Sequence, residues 1–454
     1  MKITLVNPVT SNRIKVLRVE RCQQKLISAL GNWPPITLLE IAATLKQNGF
    51  FNIAIIDAQA GNLTFSELIR QVTKGIPDLV VIQATIPTIA DDILFSSLLK
   101  ENQPDITTVF IGMPATTLPD ELLNEHSVDY VALGEPQDTI SELAGYYLNK
   151  NTSLSRILGL GYKEGKKAII NKRRPVSKVY DYTAFPDRSL IDSKKYRLSL
   201  TGKPFTVIKT SRGCDFSCSF CTSQVYYGLG WKPRSPENIV KEIKNVKREQ
   251  GIDNFLFLAD TFNGTSEFVK ELTTSIISSG LDIQWISNSR LDLVSEENVS
   301  LMKKSGCILV SLGIETYDEE ILKRNKKFLK VEQIDKGIGI FKKYKILTYG
   351  YFIFGLEGET RKTISKTIKR AIFSKLDFAI FYSLTPYPGT EYFNVYKNKN
   401  WKNYYHGISD IVTYKHLGRL ELKIYRYVAL SLFYLHPRRL FKLLRYVLFG
   451  KLIK

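Results

Sequence analysis

No apolar run in this sequence approaches the roughly 18 residues that a membrane-spanning helix needs; YVALSLFYL, residues 427–435, is the longest in the tail. Nothing suggests secretion, because Met1-Lys2 leads straight into the strand-like ITLVN at 3–7, with no apolar h-region and cleavage site, and no leader is expected. The expected location is cytoplasmic. Cysteine is scarce, five in 454 residues, and three of the five crowd into residues 210–227, which suits free thiols in a reducing compartment. Acidic residues nearly vanish from the end: residues 396–454 hold 13 Lys and Arg against 2 Asp and Glu, whereas residues 1–150 hold 11 against 16. The overall charge of +20 is therefore carried by the later part of the chain, as an anionic membrane surface, nucleic acid or an acidic substrate would each favour. At this length two or three domains are expected.

The stretch TSRGCDFSCSFCTSQVYY, residues 210–227, spaces Cys214, Cys218 and Cys221 as C-x3-C-x2-C. Three thiolates thus converge from one short loop. A closed zinc site or an ordinary ferredoxin cluster wants four protein ligands, and the next cysteine, Cys307, lies far along the chain. A [4Fe-4S] cluster held by three cysteines leaves one iron free for a substrate. The other readings of the triplet are a zinc site or a disulfide pair with a spare thiol.

This loop resembles that of the radical S-adenosylmethionine (SAM) superfamily, C-x3-C-x-aromatic-C, with Phe220 in the aromatic position. The resemblance implies that the free iron chelates SAM and reduces it, yielding a 5'-deoxyadenosyl radical, with an external electron donor of flavodoxin or ferredoxin type. The cofactor then carries the difficult chemistry and the protein supplies position and dryness.

Ahead of the loop, strand and helix alternate. ITLVN (3–7), NIAIID (52–57), DLVVIQAT (78–85), TTVFIG (107–112) and VDYVALGE (128–135) read as strands, with helices at PPITLLEIAATLKQNG (34–49), FSELIRQVTKG and ILFSSLLKEN between them. Residues 1–150 are thus expected to form a doubly wound, Rossmann-like parallel sheet. Ligands of such sheets sit beyond the strand carboxyl ends, which gathers Asn7, Thr85, Gly112, Ala115, Thr116, Gly134 and Glu135 around one crevice. The order VNP, WPPITLLEIAATLKQNG, IID, DLVVIQATIPT, GMPATTLPDELL, DYVALGE is similar to the cobalamin-binding (B12) domain that precedes many radical SAM cores. That likeness implies cobalamin at those residues. The D-x-H-x2-G motif that supplies an axial histidine elsewhere is missing, and Gly112-Met113 stands where relatives show two glycines.

Residues 151–204 read as a connector with a small basic hairpin at 162–175 and a lead-in, DYTAFPDRSLIDSKKY (181–196), that resembles the same subgroup. From 205 to 396 six strand-helix units, FTVIKT, NFLFLA, IQWISN, CILVSL, LTYGYFIF and FAIFYSL, predict an open, TIM-like (β/α)6 barrel with chemistry at the strand C-terminal ends. The resemblance places Phe220, Asp260, Asn288, Arg290 and Glu315 at SAM, whose zwitterionic, cationic character calls for both signs of charge in a low-dielectric site. Taken singly, Asp260 or Glu315 would read as a salt bridge at the barrel mouth.

In residues 397–454, RRLFKLLRYVLFGKLIK (438–454) interleaves Arg and Lys with apolar residues and has no acid. Such a helix lies on an anionic membrane or caps the barrel with its basic face in water; no RNA-binding module is present. The expected activity is SAM-dependent radical chemistry at an unactivated carbon. Cobalamin-dependent methylation of a hydrophobic, lipid or isoprenoid-like, or natural-product substrate comes first, and cobalamin-free cyclisation, carbon-carbon coupling or oxidation is the alternative. A non-catalytic cluster-binding scaffold is the reading of a different class.

Overall fold

In the computed structural model, residues 1–25, 31–149, 153–175, 180–396, 400–405, 407–409, 411–412, 414 and 416–441 are described. Five parallel strands open the chain: β1 (Ile3–Asn7), β2 (Ile53–Asp57), β3 (Leu79–Ala84), β4 (Thr107–Gly112) and β5 (Tyr130–Ala132). They are apolar almost throughout because helices cover both faces of the sheet. The hairpin β6 (Leu160–Glu164) and β7 (Lys167–Ile170) adds antiparallel to β5, giving the order β2-β1-β3-β4-β5-β6-β7. The strands of residues 1–150 are parallel as expected, and the hairpin read as connector joins them antiparallel, covering the edge that β5 would otherwise leave open.

The second sheet is all parallel. β8 (Phe205–Lys209) is followed by a two-residue ladder between β9 (Ser211–Arg212) and β10 (Lys232–Pro233), which closes the cysteine loop at its base. Then come β11 (Asn254–Leu258), β12 (Gln284–Ser289), β13 (Cys307–Glu315), β14 (Leu347–Phe354) and β15 (Phe378–Ser383), in the order β15-β14-β13-β12-β11-β8. The connecting helices begin and end on local signals. The helix Pro236–Gln250 has Pro at its first position, Ser235 accepting from the backbone of Asn238, and Gly251 left-handed at its end (φ 63°). Strand side chains alternate: Ile208, Phe255 and Phe257 meet the helices in the main core, while Phe205, Val207 and Leu256 face the lumen.

The open side of this partial barrel faces the first sheet. Leu17, Val19 and Cys22, from the long segment between β1 and the helix Ile36–Gln47, pack with Phe205, Val207 and Leu256 in one apolar cluster. A second shared cluster joins Met113 and Ala115 of the first domain to Tyr226, Tyr227 and Tyr387 of the second and to Tyr404 of the region beyond it. At roughly 1.5–3 kcal/mol per fully buried large apolar side chain, such an interface holds the two sheets together firmly.

The turn after β14 carries a buried acid. Glu359 is fully buried and accepts from the N–H groups of Gly355 (2.6 Å) and Leu356 (3.2 Å) through Oε2, while Oε1 has no hydrogen-bond partner among the described residues. Burial pushes its pKa up to about 8, and the two donors oppose this only in part. The folded chain thus binds this proton more tightly than the unfolded chain, so stability falls as pH rises from about 4.5 to about 8. Glu359→Gln is expected to be more stable than the parent at pH 8 by roughly 2–4 kcal/mol, and to flatten the decline, in denaturant titrations between pH 5 and 8. A variant no more stable than the parent at pH 8 contradicts this.

Candidate functional site

The cysteine loop is held by backbone geometry that only its sequence allows. Gly213 sits at φ 71°, and a Cβ there would stand 2.2 Å from the carbonyl oxygen of Gly230. Cys214 bridges Leu229, its Sγ lies 3.2 Å from Thr261 Oγ1, and the Cys221 N–H donates to Cys218 O (3.0 Å). Gly213→Ala therefore meets both a left-handed backbone and a backbone collision. It is expected to lose most of its iron after anaerobic reconstitution while circular dichroism stays near that of the parent; full iron content in the variant contradicts this.

Cations surround the loop. Arg290 lies with its guanidinium 3.4 Å from the ring centroid of Phe216 and pairs with Asp292 through two hydrogen bonds of 3.0 and 2.9 Å. Lys327 is buried and paired with Glu315 at 2.9 Å. Lys327 and Arg290 act on Cys218, and Arg21 on Cys221. Burial nevertheless dominates: it pushes the Cys221 thiol up to about 11 and that of Cys218 in the same direction. Iron binding must therefore displace protons, and the nearby cations offset the thiolate charge that results.

Three thiols from one loop suit a cluster with one open iron. Among the described residues, no three His, Cys, Asp or Glu side chains approach closely enough to share one metal ion.

The residues expected at SAM gather around this loop in differing ways. Asp260 Oδ2 accepts from the Gly213 N–H (2.9 Å), and its Oδ1 pairs with Arg21. Glu315 is non-glycine at φ 67°, at a register shift between β13 and β14, a strained conformation of the kind that collects at functional sites. Asn288 has spent its amide on the neighbouring loop, donating to Ala259 O (2.7 Å) and Asp260 O (3.1 Å) and accepting from the Phe262 N–H (3.1 Å). It positions Asp260. Phe220 packs beneath the loop against Ile321, Leu356 and Tyr392.

The crevice residues do converge on the strand ends, but their polar groups are turned on each other. Asn7 donates to Asp57 (2.9 Å), Thr85 Oγ1 lies 2.7 Å from Thr88 Oγ1, and Thr116 Oγ1 donates to Gly112 O and accepts from the Gly134 N–H, both at 2.9 Å. Glu135 pairs with Arg212, and Arg173 covers Gly134. Ala115 is fully buried in the cluster with Tyr226, Tyr227 and Tyr404.

Sequence reasoning missed the segment that crosses this seam. Arg18 is buried and paired with Asp92 (2.9 Å), Gln23 Oε1 accepts from the Ile86 N–H (2.5 Å), Glu20 pairs with Lys209, and Arg21 reaches Asp260. Cys22 follows, within electrostatic reach of Cys221, Tyr351, Tyr382 and Tyr387. The available signal was length: a connection this long between a strand and the next helix is uncommon unless it has a function. Lys327 gave no signal at all.

Fold and site together describe a three-cysteine cluster loop at the mouth of a partial barrel, with a nucleotide-type sheet across its open side. A family model for the radical SAM superfamily matches residues 208–371, and one for the B12 binding domain matches residues 26–144. An uncharacterized methyltransferase of Pyrococcus horikoshii is 33% identical over 450 residues, covering 97% of this chain and 94% of its own. The anaerobic magnesium-protoporphyrin IX monomethyl ester cyclase of Rubrivivax gelatinosus is 29% identical over 376 residues, 80% of this chain and 66% of its own. Among solved structures, the radical SAM methyltransferase TsrM from Kitasatospora setae, with cobalamin and a [4Fe-4S] cluster bound, has the same fold, with a TM-score of 0.68 at 17% identity over 86% of this chain and 74% of its own.

The chain belongs to the radical SAM superfamily, in the group whose barrel follows a B12 binding domain. It is an enzyme of the methyltransferase or cyclase kind. The radical SAM domain implies a [4Fe-4S] cluster and SAM, and the B12 binding domain implies cobalamin. The cysteine loop fits the first. Among the described residues Arg18, Gln23, Tyr226, Tyr227 and Tyr404 lie over the strand ends, where the B12 binding domain implies the corrin. Cobalamin therefore requires these side chains to move.

Proposed function

We propose that this enzyme removes a hydrogen atom from an unactivated carbon of an apolar substrate and that methylation of that carbon is the outcome. The observation that carries the reading is the pairing of the three-cysteine loop with an aromatic lumen. On β14 and β15 the half-buried positions include Tyr349, Tyr351, Phe378 and Tyr382, with Tyr351 and Tyr382 stacked at 5.9 Å. Burial raises the pKa of both stacked phenols, so they stay neutral and offer ring faces and hydroxyls rather than charge.

When bound, the cluster and SAM together supply a radical able to take hydrogen from such a carbon. The chain's own residues hold the geometry. Asp260 fixes the start of the loop through Gly213, Asn288 fixes Asp260, and Arg290 with Lys327 balances the thiolates. Asp260, Glu315 and Arg290 are the groups suited to the charged ends of SAM. The segment 16–25 and the tyrosines exclude water from the lumen. An external donor of flavodoxin or ferredoxin type supplies the electron, and contact of the basic tail with an anionic membrane suits a lipid or isoprenoid-like substrate.

Methylation is supported by the B12 binding domain and by the designation of the Pyrococcus relative. Ring closure or oxidation is the second reading, favoured by the closed seam and by the similarity to the cyclase. SAM with a trideuterated methyl group, reductant and apolar extracts, isoprenoid and porphyrin fractions among them, separates the two. The expected product carries the labelled methyl. SAM cleavage with a product altered only by loss of hydrogen overturns the methylation reading in favour of the second.

A further inference from the structure

The helix Arg419–Leu435 runs along β15 and is apolar on both sides. Its inner face is spaced as expected for packing on the barrel: Leu422, Arg426, Ala429 and Phe433 are buried, and Arg426 donates to Gly407 O (2.9 Å). The opposite face should be polar on a helix with one buried side. Instead Leu420 (70% exposed), Ile424 (52%), Tyr427 (54%), Val428 and Leu435 (61%) line it, and Phe441 (71%) follows beyond its end. Scattered exposed apolar residues are ordinary, but one continuous stripe along a helix marks a surface that something else covers.

Charge selects the occupant. No Asp or Glu follows Glu421 in the sequence, and of the described basic residues after it Arg426 and Arg439 are buried while Lys423 and Arg438 are exposed beside the stripe. A second copy of the same surface would bring equal positive charge against it. Among the described residues no helix is long and apolar enough to cross a bilayer. We infer that the outer face of the helix Arg419–Leu435 docks on an anionic membrane, with Leu420, Ile424, Tyr427, Val428, Leu435 and Phe441 entering the acyl boundary and the basic side chains meeting lipid phosphates.

This surface shares only Arg438 and Phe441 with the tail expected from sequence at 438–454, of which residues 442–454 lie outside the described residues. The stripe sits one element earlier, on a helix anchored to the barrel wall. The apolar-substrate reading gives this contact a purpose, because it holds the open edge of the barrel, β15, beside the bilayer; the contact itself stands without that reading.

Co-sedimentation of the full-length protein with phosphatidylcholine vesicles, with and without phosphatidylglycerol, tests the inference. Binding is expected only to the anionic vesicles and is expected to weaken with salt. The double variant Ile424→Glu, Leu435→Glu should lose at least about tenfold in affinity while cleaving SAM at the parent rate. Three results overturn the proposal: no binding to anionic vesicles, binding untouched by the double variant, which assigns it to the tail, or a parent dimer that the double variant dissociates, which assigns the stripe to a second copy. Vesicle binding is read without turnover. A protein that binds vesicles but transfers no methyl group fails the functional reading alone.

Discussion

Cys218→Ala is expected to lower reductive cleavage of SAM by at least about 10³-fold, roughly 4 kcal/mol or more of barrier, with little loss of fold. If Cys214, Cys218 and Cys221 hold the [4Fe-4S] cluster that the radical SAM domain implies, each thiol would bind a different iron, and two ligands would not retain a cubane that three already leave open on one side. Cys218 is half-buried in a loop and contributes nothing to either large apolar core. Cys307→Ala is the matching control. That thiol is fully buried in the barrel core, where burial raises its pKa strongly, and its contact is to Leu309 O at 3.8 Å. The control should therefore cost stability through a small cavity and leave deoxyadenosine formation intact. Cleavage undiminished in the Cys218 variant, or lost equally in the Cys307 variant, contradicts the assignment.

Lys209→Met is expected to destabilise the chain by about 3–5 kcal/mol, because it leaves buried carboxylates without their cation. Lys209 lies at the C-terminal end of β8, 2% exposed, and pairs with Glu40 at 2.6 Å and with Glu20. Glu40 belongs to the first domain and also accepts from Gln137 (2.8 Å) and the Tyr182 hydroxyl; Glu20 belongs to the seam segment and accepts from the Tyr227 hydroxyl. One ammonium thus ties both domains and the crossing segment together. Removing it should expose residues 16–25 to protease earlier than the rest of the chain. The triple change Lys209→Met, Glu20→Gln, Glu40→Gln should recover most of the loss, since it removes the charges together. A single variant that loses less than about 1 kcal/mol in denaturant titration shows that this pair of ion pairs does not hold the seam.

The parts of this architecture that sequence disclosed are those written in contiguous residues. The six barrel strands are short apolar runs between capped helices, and the cluster loop carries its spacing, its glycine and its aromatic position within one stretch. What stayed hidden depends on contacts between distant residues. Arg21 meets Asp260 across 239 positions, and Lys209 meets Glu40 across 169, so no local pattern announces either. The hairpin at 160–170 looked like a solvated connector because its alternation is weak, yet backbone pairing to β5 decides its place. Asn288 was legible as a residue at a strand end, but its hydrogen bonds show that it acts on the Asp260 loop. The crevice was legible as a place, while the tyrosines that fill it come from the other domain and from the region beyond the barrel.

The most direct test is metal and sulfide analysis of the wild-type protein reconstituted without oxygen, followed by incubation with SAM and a strong reductant. About four irons and four sulfides per chain, with 5'-deoxyadenosine formed, are the expected result. A single zinc, no labile sulfide and intact SAM would contradict the account.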